Sequence, residues 1–343
     1  MPQQSLAMRW KHRCESVDGE PHAVSAATLS NGTAQYAPAV KAGVPRKATR
    51  RLLQSIAPHL VLAPSIAASL IYVVVFASWS VWISLSKSTL LPDYSYAGFQ
   101  QYVHLWSNHR WTIAYTNLFL FGSLYVAGAT LVGLTLAILI DQRVRAESVW
   151  RSIFLYPLAI SFVVTGTVWR WIFNPTTGLE HLVHQLGWTG FSFDWIVQRN
   201  MAIYTVVITG IWQASGFAMA LFLAGLRGVD PDLVKAARID GAKMSRIYLR
   251  IILPSIRPIF IAVVVILLQF AIKTFDLVLA LTSGGPGIST TMPAIYVYDL
   301  MFQRGQLGEG AAAAVMMLAA LLVVLVPYGI WTNWQRRRER ANG

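Results

Sequence analysis

The sequence predicts an all-α integral membrane protein of six transmembrane helices, with a helix–turn–helix loop and both termini on the cytoplasmic side. Three observations predict it. Hydrophobic residues make up 55% of the 343-residue chain and charged residues only 13%, against roughly 25% charged in a soluble domain. The apolar residues gather into six runs, each long enough to cross a hydrocarbon core about 30 Å thick. The basic residues between these runs are unevenly shared between the two sides, which sets orientation.

The elements follow in order. Residues 1–55 are rich in Ser, Ala, Gly, Pro and basic side chains without any period, and predict a disordered cytoplasmic tail. Arg46, Lys47, Arg50 and Arg51 near its end would lie against anionic lipid. The first twenty residues contain no apolar core, so no cleavable signal peptide is expected and the first apolar helix would act as the insertion signal. The six apolar runs cover about 60–85, 113–140, 152–173, 201–226, 259–282 and 310–331. The second is long enough to need tilt, and Pro157 predicts a kink in the third. A short basic tail, 336–343, closes the chain. With the N-terminus inside, segments 41–59, 141–152, 227–257 and 335–343 hold 19 Lys and Arg residues, whereas 85–112, 174–200 and 283–308 hold four. The excess marks the cytoplasmic side. It also accounts for the net charge of +13 without a nucleic-acid partner.

The longest polar interruption, residues 229–258, separates the fourth and fifth runs. Asp230 suits an N-cap and Pro231 the first helical position. Leu233, Ala236 and Ala237 would form one face of a short helix. Gly241 follows Asp240 where a C-cap glycine belongs. A second helix is expected from Ala242 to about Ile252, with Pro254 near its end. The charge count places this stretch in the cytoplasm.

The stretch resembles the coupling loop of binding-protein-dependent ABC importer permeases, in which a Glu-Ala-Ala triplet precedes an Asp-Gly-Ala triplet and then a Leu-Pro. The counterparts are Lys235-Ala236-Ala237, Asp240-Gly241-Ala242 and Leu253-Pro254, with lysine at 235 in place of the family's glutamate. Taken alone, the stretch also suits a merely amphipathic cytoplasmic loop. Further stretches are similar to the carbohydrate-uptake, maltose-type branch: 168–175 followed by Gly178-Leu179, and Thr274-Phe275-Asp276-Leu277 leading into 281–287. Within that branch, 140–143, 153–157 and 212–217 look like permeases of bacterial glucose importers. The resemblance covers about residues 56–335. It implies a transmembrane domain in the bacterial inner (plasma) membrane, paired with a second permease subunit, a related but different chain. It implies two ATP-binding subunits, holding ATP and Mg, that dock on the coupling loop. It implies a periplasmic sugar-binding protein that delivers a sugar, a monosaccharide such as glucose. A disaccharide, a polyol or glycerol phosphate is the alternative cargo.

Two polar groupings inside the runs are candidates for the substrate path. Gln269, Lys273 and Asp276 are spaced by four and three, so a continuous helix would put them on one face. Counted from Pro258 at about 1.5 Å per residue, Gln269 lies roughly 16 Å deep and Lys273 roughly 22 Å. Charges there cannot face lipid cheaply. They either line a sugar path, since amides and charged groups hydrogen-bond hydroxyls, or form a Lys273–Asp276 ion pair that holds helices together. In the fourth run, Thr205, Thr209, Gln213 and Gly216 form a stripe beside Trp212. Trp212 with Gln213 would offer a sugar-stacking platform, while Gly216, Ala220 and Ala224 have the spacing of a packing seam. Arg170 is expected to snorkel to the interface. The outer segment Ser283 to Gln306 is a candidate surface for the binding protein.

Other classes find little support. No Walker A motif or Gly-x-Gly-x-x-Gly occurs, and no lysine follows Gly284-Gly285-Pro286-Gly287 at phosphate-loop spacing. The single cysteine, Cys14, excludes a disulfide framework. The seven histidines do not cluster, and His181 with His184 lacks a carboxylate partner in the pattern. No catalytic residue and no bound cofactor or metal is expected in this chain. A secondary transporter remains possible on hydropathy, but no internal repeat supports it.

Overall fold

The structure, a computed structural model, describes residues 46–342 apart from 91, 92, 94 and 143. The expected tail therefore lies outside the described residues as far as residue 45. The chain comprises two compact units, 1–64 and 65–343. Of the first unit, only the beginning of α1 (Arg46–Ser84) is described. Residues 46–55, placed in the tail by the sequence, belong to this helix. Lys, Arg, Leu and Gln dominate this stretch and are good helix formers.

The second unit continues α1 and adds thirteen helices among the described residues. They are α2 (Gln100–Ser107), α3 (His109–Asp141), α4 (Glu147–Ala159), α5 (Phe162–Ile172), α6 (Leu179–Gln185) and α7 (Ala202–Arg227). Then come α8 (Pro231–Ile239), α9 (Met244–Ile247), α10 (Leu253–Ser255), α11 (Arg257–Ile272), α12 (Asp276–Thr282), α13 (Pro293–Tyr298) and α14 (Leu307–Asn342). Single π-helical turns, Tyr248–Ile252 and Asp299–Gln303, follow α9 and α13.

The long apolar runs become helices because only intrasegment hydrogen bonding satisfies the backbone inside hydrocarbon. Four helices are long and apolar enough to span: Leu62–Ser84 within α1, α3, α7 and Leu307–Arg338 within α14. The third and fifth expected spans are not straight helices. In the third, α4 meets α5 at 98°. Pro157 sits inside α4, and the break falls at Ile160, whose backbone is extended. Ser161 then caps α5 by accepting from the Val163 amide. Just before the fifth, the α9–α10 segment of the 229–258 stretch meets α11 at 68°. The chain breaks again between α11 and α12, at residues 273–275. Counting each bent pair as one span raises the total to six. The sixth span continues unbroken through the expected basic tail, since α14 runs to Asn342.

The core centres on α7, which packs most extensively against α3. Phe121, Tyr125, Ala129 and Ala137 of α3 share one buried cluster with Val206, Ala218, Met219 and Phe222 of α7. On its other side α7 meets α4 at Gly216, where an added Cβ would run into the Phe154 carbonyl. The small-residue seam stops there, because Ala220 is half-buried and Ala224 exposed. α12 packs on α5, and α14 on α13 and α2. From Ile66 to Trp82, α1 exposes its large apolar side chains, among them Leu70, Val73, Trp79 and Trp82. A surface of that kind calls for an apolar environment.

Candidate functional site

The break between α11 and α12 opens one side of a cavity of about 230 Å³. Lys273, Thr274, Phe275 and Asp276 form that side. Phe121 and Tyr125 of α3, Phe162 of α5, Gly210 of α7, Phe270 of α11 and Leu277 of α12 form the rest. The local sequence explains the break. Thr274 and Phe275 are weak helix formers, and the Thr274 hydroxyl turns back to donate to the Phe270 carbonyl at 2.8 Å. Asp276 then sits in the first turn of α12, where the helix dipole favours an acid. Phe121 and Tyr125 stack at 5.1 Å with planes 14° apart. The result is a small chamber with aromatic walls and one cation and one anion at its edge.

This arrangement corrects the expected single face. Gln269, Lys273 and Asp276 do not lie on one continuous helix, because α11 ends at Ile272. Lys273 and Asp276 reach the cavity together, while Gln269 is half-buried and outside its wall. The Lys273–Asp276 ion pair does not form: among the described residues the ion pairs are Arg110–Asp299, Arg227–Glu147 and Lys235–Asp232. Both charges are therefore free of each other.

The platform on the fourth run is also rearranged. Gln213 is 2% exposed, and its amide donates to the Ile160 carbonyl at 3.0 Å. That carbonyl lies at the α4–α5 break, so Gln213 braces a broken span. Trp212 packs edge-on against Trp169 at 5.5 Å and does not line the cavity. A larger cleft of about 1040 Å³ runs between α3, α11 and α14. Its walls are mostly aliphatic with no charged side chain, so little in it would orient a polyhydroxylated ligand.

The 229–258 stretch has the expected helix–turn–helix form. Asp230 accepts from the Asp232 amide at 2.8 Å, and Pro231 opens α8. At the other end Gly241 adopts φ +74°, a conformation that favours glycine. Its amide donates to the Arg238 carbonyl and that of Ala242 to the Ala237 carbonyl, both at 3.0 Å. These two bonds make a Schellman cap. Lys235 pairs with Asp232 at 2.8 Å on the exposed side of α8. Ala236 and Asp240 are exposed, Ala242, Leu253 and Pro254 half-buried. Pro254 cannot donate to the Arg250 carbonyl and crowds it, and the wider Tyr248–Ile252 turn just before it relieves that conflict.

The stretch has two sides. Ala237, Ile247, Tyr248 and Ile252 enter the main core. Leu233, Ile239, Met244 and Leu249 point outward, Ile239 being 86% exposed. One side-chain hydrogen bond ties the stretch to α3: the Tyr248 hydroxyl donates to Asp141 Oδ2 at 2.7 Å. Just before the stretch, Arg227 at the end of α7 pairs with Glu147 of α4 at 2.7 Å.

At the opposite end, Asn117 of α3 was not singled out by the sequence reading. It is buried, and its Nδ2 donates to the Ser289 and Thr291 carbonyls at 2.8 and 3.0 Å. A lone amide in an otherwise apolar run was the available signal. It pins the 283–292 loop, in which Thr290 donates to the Gly285 carbonyl at 2.8 Å. Arg110 pairs with Asp299, and Tyr296 donates to Glu309 at 2.9 Å. Most of the segment 283–306 is consequently buried or half-buried in the chain. Ser283, Gly287, Phe302, Gln303, Arg304 and Gln306 remain exposed.

Comparison with known proteins gives the same direction. The family model for the binding-protein-dependent transport system inner membrane component matches residues 129–341. A probable ABC transporter permease of Pyrococcus horikoshii is 38% identical over 276 residues, covering 80% of this chain and 94% of that one. A xylose/arabinose import permease of Haloferax volcanii is 34% identical, covering 69% and 75%. The solved structure of a bacterial ABC transporter that imports alginate superposes with a TM-score of 0.68 at 21% identity, covering 84% of this chain and 99% of that one. At that identity the likeness concerns the fold.

Proposed function

The chain belongs to the binding-protein-dependent transport system inner membrane components, and from that premise we propose that it is the permease subunit of an ATP-driven importer of a sugar, a monosaccharide such as glucose. One observation carries the sugar reading: the aromatic chamber at the α11–α12 break, with Lys273 and Asp276 at its edge. The C–H faces of a sugar ring pack on aromatic rings by dispersion. Its hydroxyls can donate to a carboxylate and accept from an ammonium. At about 230 Å³ the chamber lies below the roughly 300–1,000 Å³ of pockets for drug-sized ligands, which favours one ring over an oligosaccharide. The Haloferax relative, by its name, carries pentoses, which supports sugars as a class and does not single out glucose.

In this reading the basic segments place both termini and the 229–258 stretch in the cytoplasm of a bacterial inner membrane, and six spans cross it. The outward residues Leu233, Ile239, Met244 and Leu249 meet a partner ATPase, which holds ATP and Mg. Exposed apolar side chains on an aqueous face need a partner. A second, related permease subunit completes the pore, and a periplasmic binding protein delivers the sugar near the exposed residues Phe302 to Arg304. ATP-driven closure of the ATPases moves α8, and the chamber opens alternately to the two sides. A driven change of this kind requires the ATPase states to contact α8 differently.

The test is uptake in cells that keep the partner subunits but lack this chain, across glucose, mannose, a disaccharide and glycerol 3-phosphate. Loss of one monosaccharide, restored by the chain and dependent on ATP, is the expected result. Loss of the disaccharide or glycerol 3-phosphate instead would move the cargo within the family. Uptake driven by an ion gradient without ATP would refute the importer reading.

A further inference from the structure

We infer that Tyr248 and Asp141 are positioning residues that carry movement of the coupling stretch into α3, and through it into the wall of the Lys273/Asp276 chamber. The inference rests on the coupling role proposed above for residues 229–258.

Three routes lead from that stretch to the chamber. One runs back along the chain through residues 228–230 into α7, which carries Gly210 of the wall. Forward along the chain, the route from α9 passes a 68° bend before α11 and a break at 273–275. Each bend can absorb displacement. The third route crosses space. Tyr248 lies on the inner side of the stretch, 8% exposed, and its hydroxyl donates to Asp141 Oδ2 at 2.7 Å. Asp141 is the last residue of α3, a single unbroken helix of 33 residues. Tyr125, in the chamber wall, lies sixteen residues earlier on that helix, about 24 Å at 1.5 Å per residue. An unbroken helix passes an axial push or a tilt along its length.

The link has the chemistry of a mechanical tie. A phenol donating to a carboxylate is a charge-assisted bond, stronger than a neutral one. Tyr248, Ile140 and Ala137 belong to one buried cluster, so the bond is backed by packing. The Arg227–Glu147 pair is less suited to the task, with side chains 43% and 30% exposed where water screens the attraction.

The experiment uses the full complex of this chain with its partner subunits in liposomes, reading sugar transported per ATP hydrolysed. Tyr248→Phe keeps the ring in the core and removes only the hydroxyl. The expected result is a fall of about tenfold in sugar per ATP, equivalent to about 1.4 kcal/mol, with ATP hydrolysis continuing. Asp141→Leu should repeat that loss, and the double variant should be no worse than either single one. Asp141→Asn keeps an acceptor oxygen and should retain most of the coupling. A Tyr248→Phe complex with the wild-type ratio overturns the inference and leaves the importer reading standing. Loss of both uptake and hydrolysis at normal membrane levels also overturns it, because the hydroxyl would then serve assembly. A wild-type complex with no ATP-dependent uptake overturns the importer reading itself.

Discussion

Gly241 separates two ways in which a turn can matter, and substitution by alanine and by proline tells them apart. The residue sits at φ +74° with no atom within 4 Å of where a Cβ would stand. Alanine therefore meets no obstacle and costs only the left-handed backbone conformation, about 1–2 kcal/mol. That strain is present whether or not the partner is docked, so it lowers stability without biasing the transport cycle. Proline cannot adopt a positive φ at all. It also removes the amide that donates to Arg238 at 3.0 Å, a further loss of about 1 kcal/mol. The turn must then rebuild, and α8 leaves its orientation. Uptake of labelled sugar, normalised to the amount of chain in the membrane, should fall modestly with Gly241→Ala and to background with Gly241→Pro. A Gly241→Pro variant that reaches the membrane and transports as wild type would refute the coupling role of this turn.

Lys273→Met and Asp276→Asn should each lower uptake by roughly tenfold or more, the effect of losing a hydrogen bond to a charged group worth about 1.5–3 kcal/mol. Gln269→Ala and Trp212→Ala, outside the chamber wall, should change uptake little; equal losses at all four sites would argue against the chamber. Asn117→Leu leaves the buried Ser289 and Thr291 carbonyls without their donor, which should destabilise the 283–292 loop by roughly 1–3 kcal/mol, read as faster amide hydrogen exchange there. Burial first, then the hydrogen bond and charge of Asp141, outweigh Arg238 and push the Tyr248 hydroxyl up to about 12. Because the folded value lies above the ordinary value of about 10, the native state holds this proton more tightly, and the link stabilises fully below about pH 10 and fades as pH rises toward 12. The melting difference between wild type and Tyr248→Phe should be flat from about pH 6 to 9 and shrink above about pH 10; shrinkage near neutrality would contradict that assignment.

What the sequence determined by itself was whatever depends on near neighbours. The apolar runs became the long helices because burial and hydrogen bonding of a spanning segment are decided within the segment. Asp230, Pro231 and Gly241 were legible because a cap is made with residues at most five positions away. The resemblance at 235–254 rested on the same local pattern, and the family it pointed to is the one whose model matches residues 129–341. What only the tertiary structure decided was where spans break and which polar side chains meet. The break at Ile160 persists because Gln213, 53 residues on, donates to its carbonyl; in sequence that glutamine looked like part of a sugar platform. The spacing of Gln269, Lys273 and Asp276 implied one face only if the helix continued, and α12 is instead held by packing on α5. Asn117 answers to carbonyls 172 and 174 residues away. The chamber takes its walls from five helices and the segment between two of them. A buried polar group must find a partner wherever the fold supplies one, and periodicity along the chain carries no record of that distance.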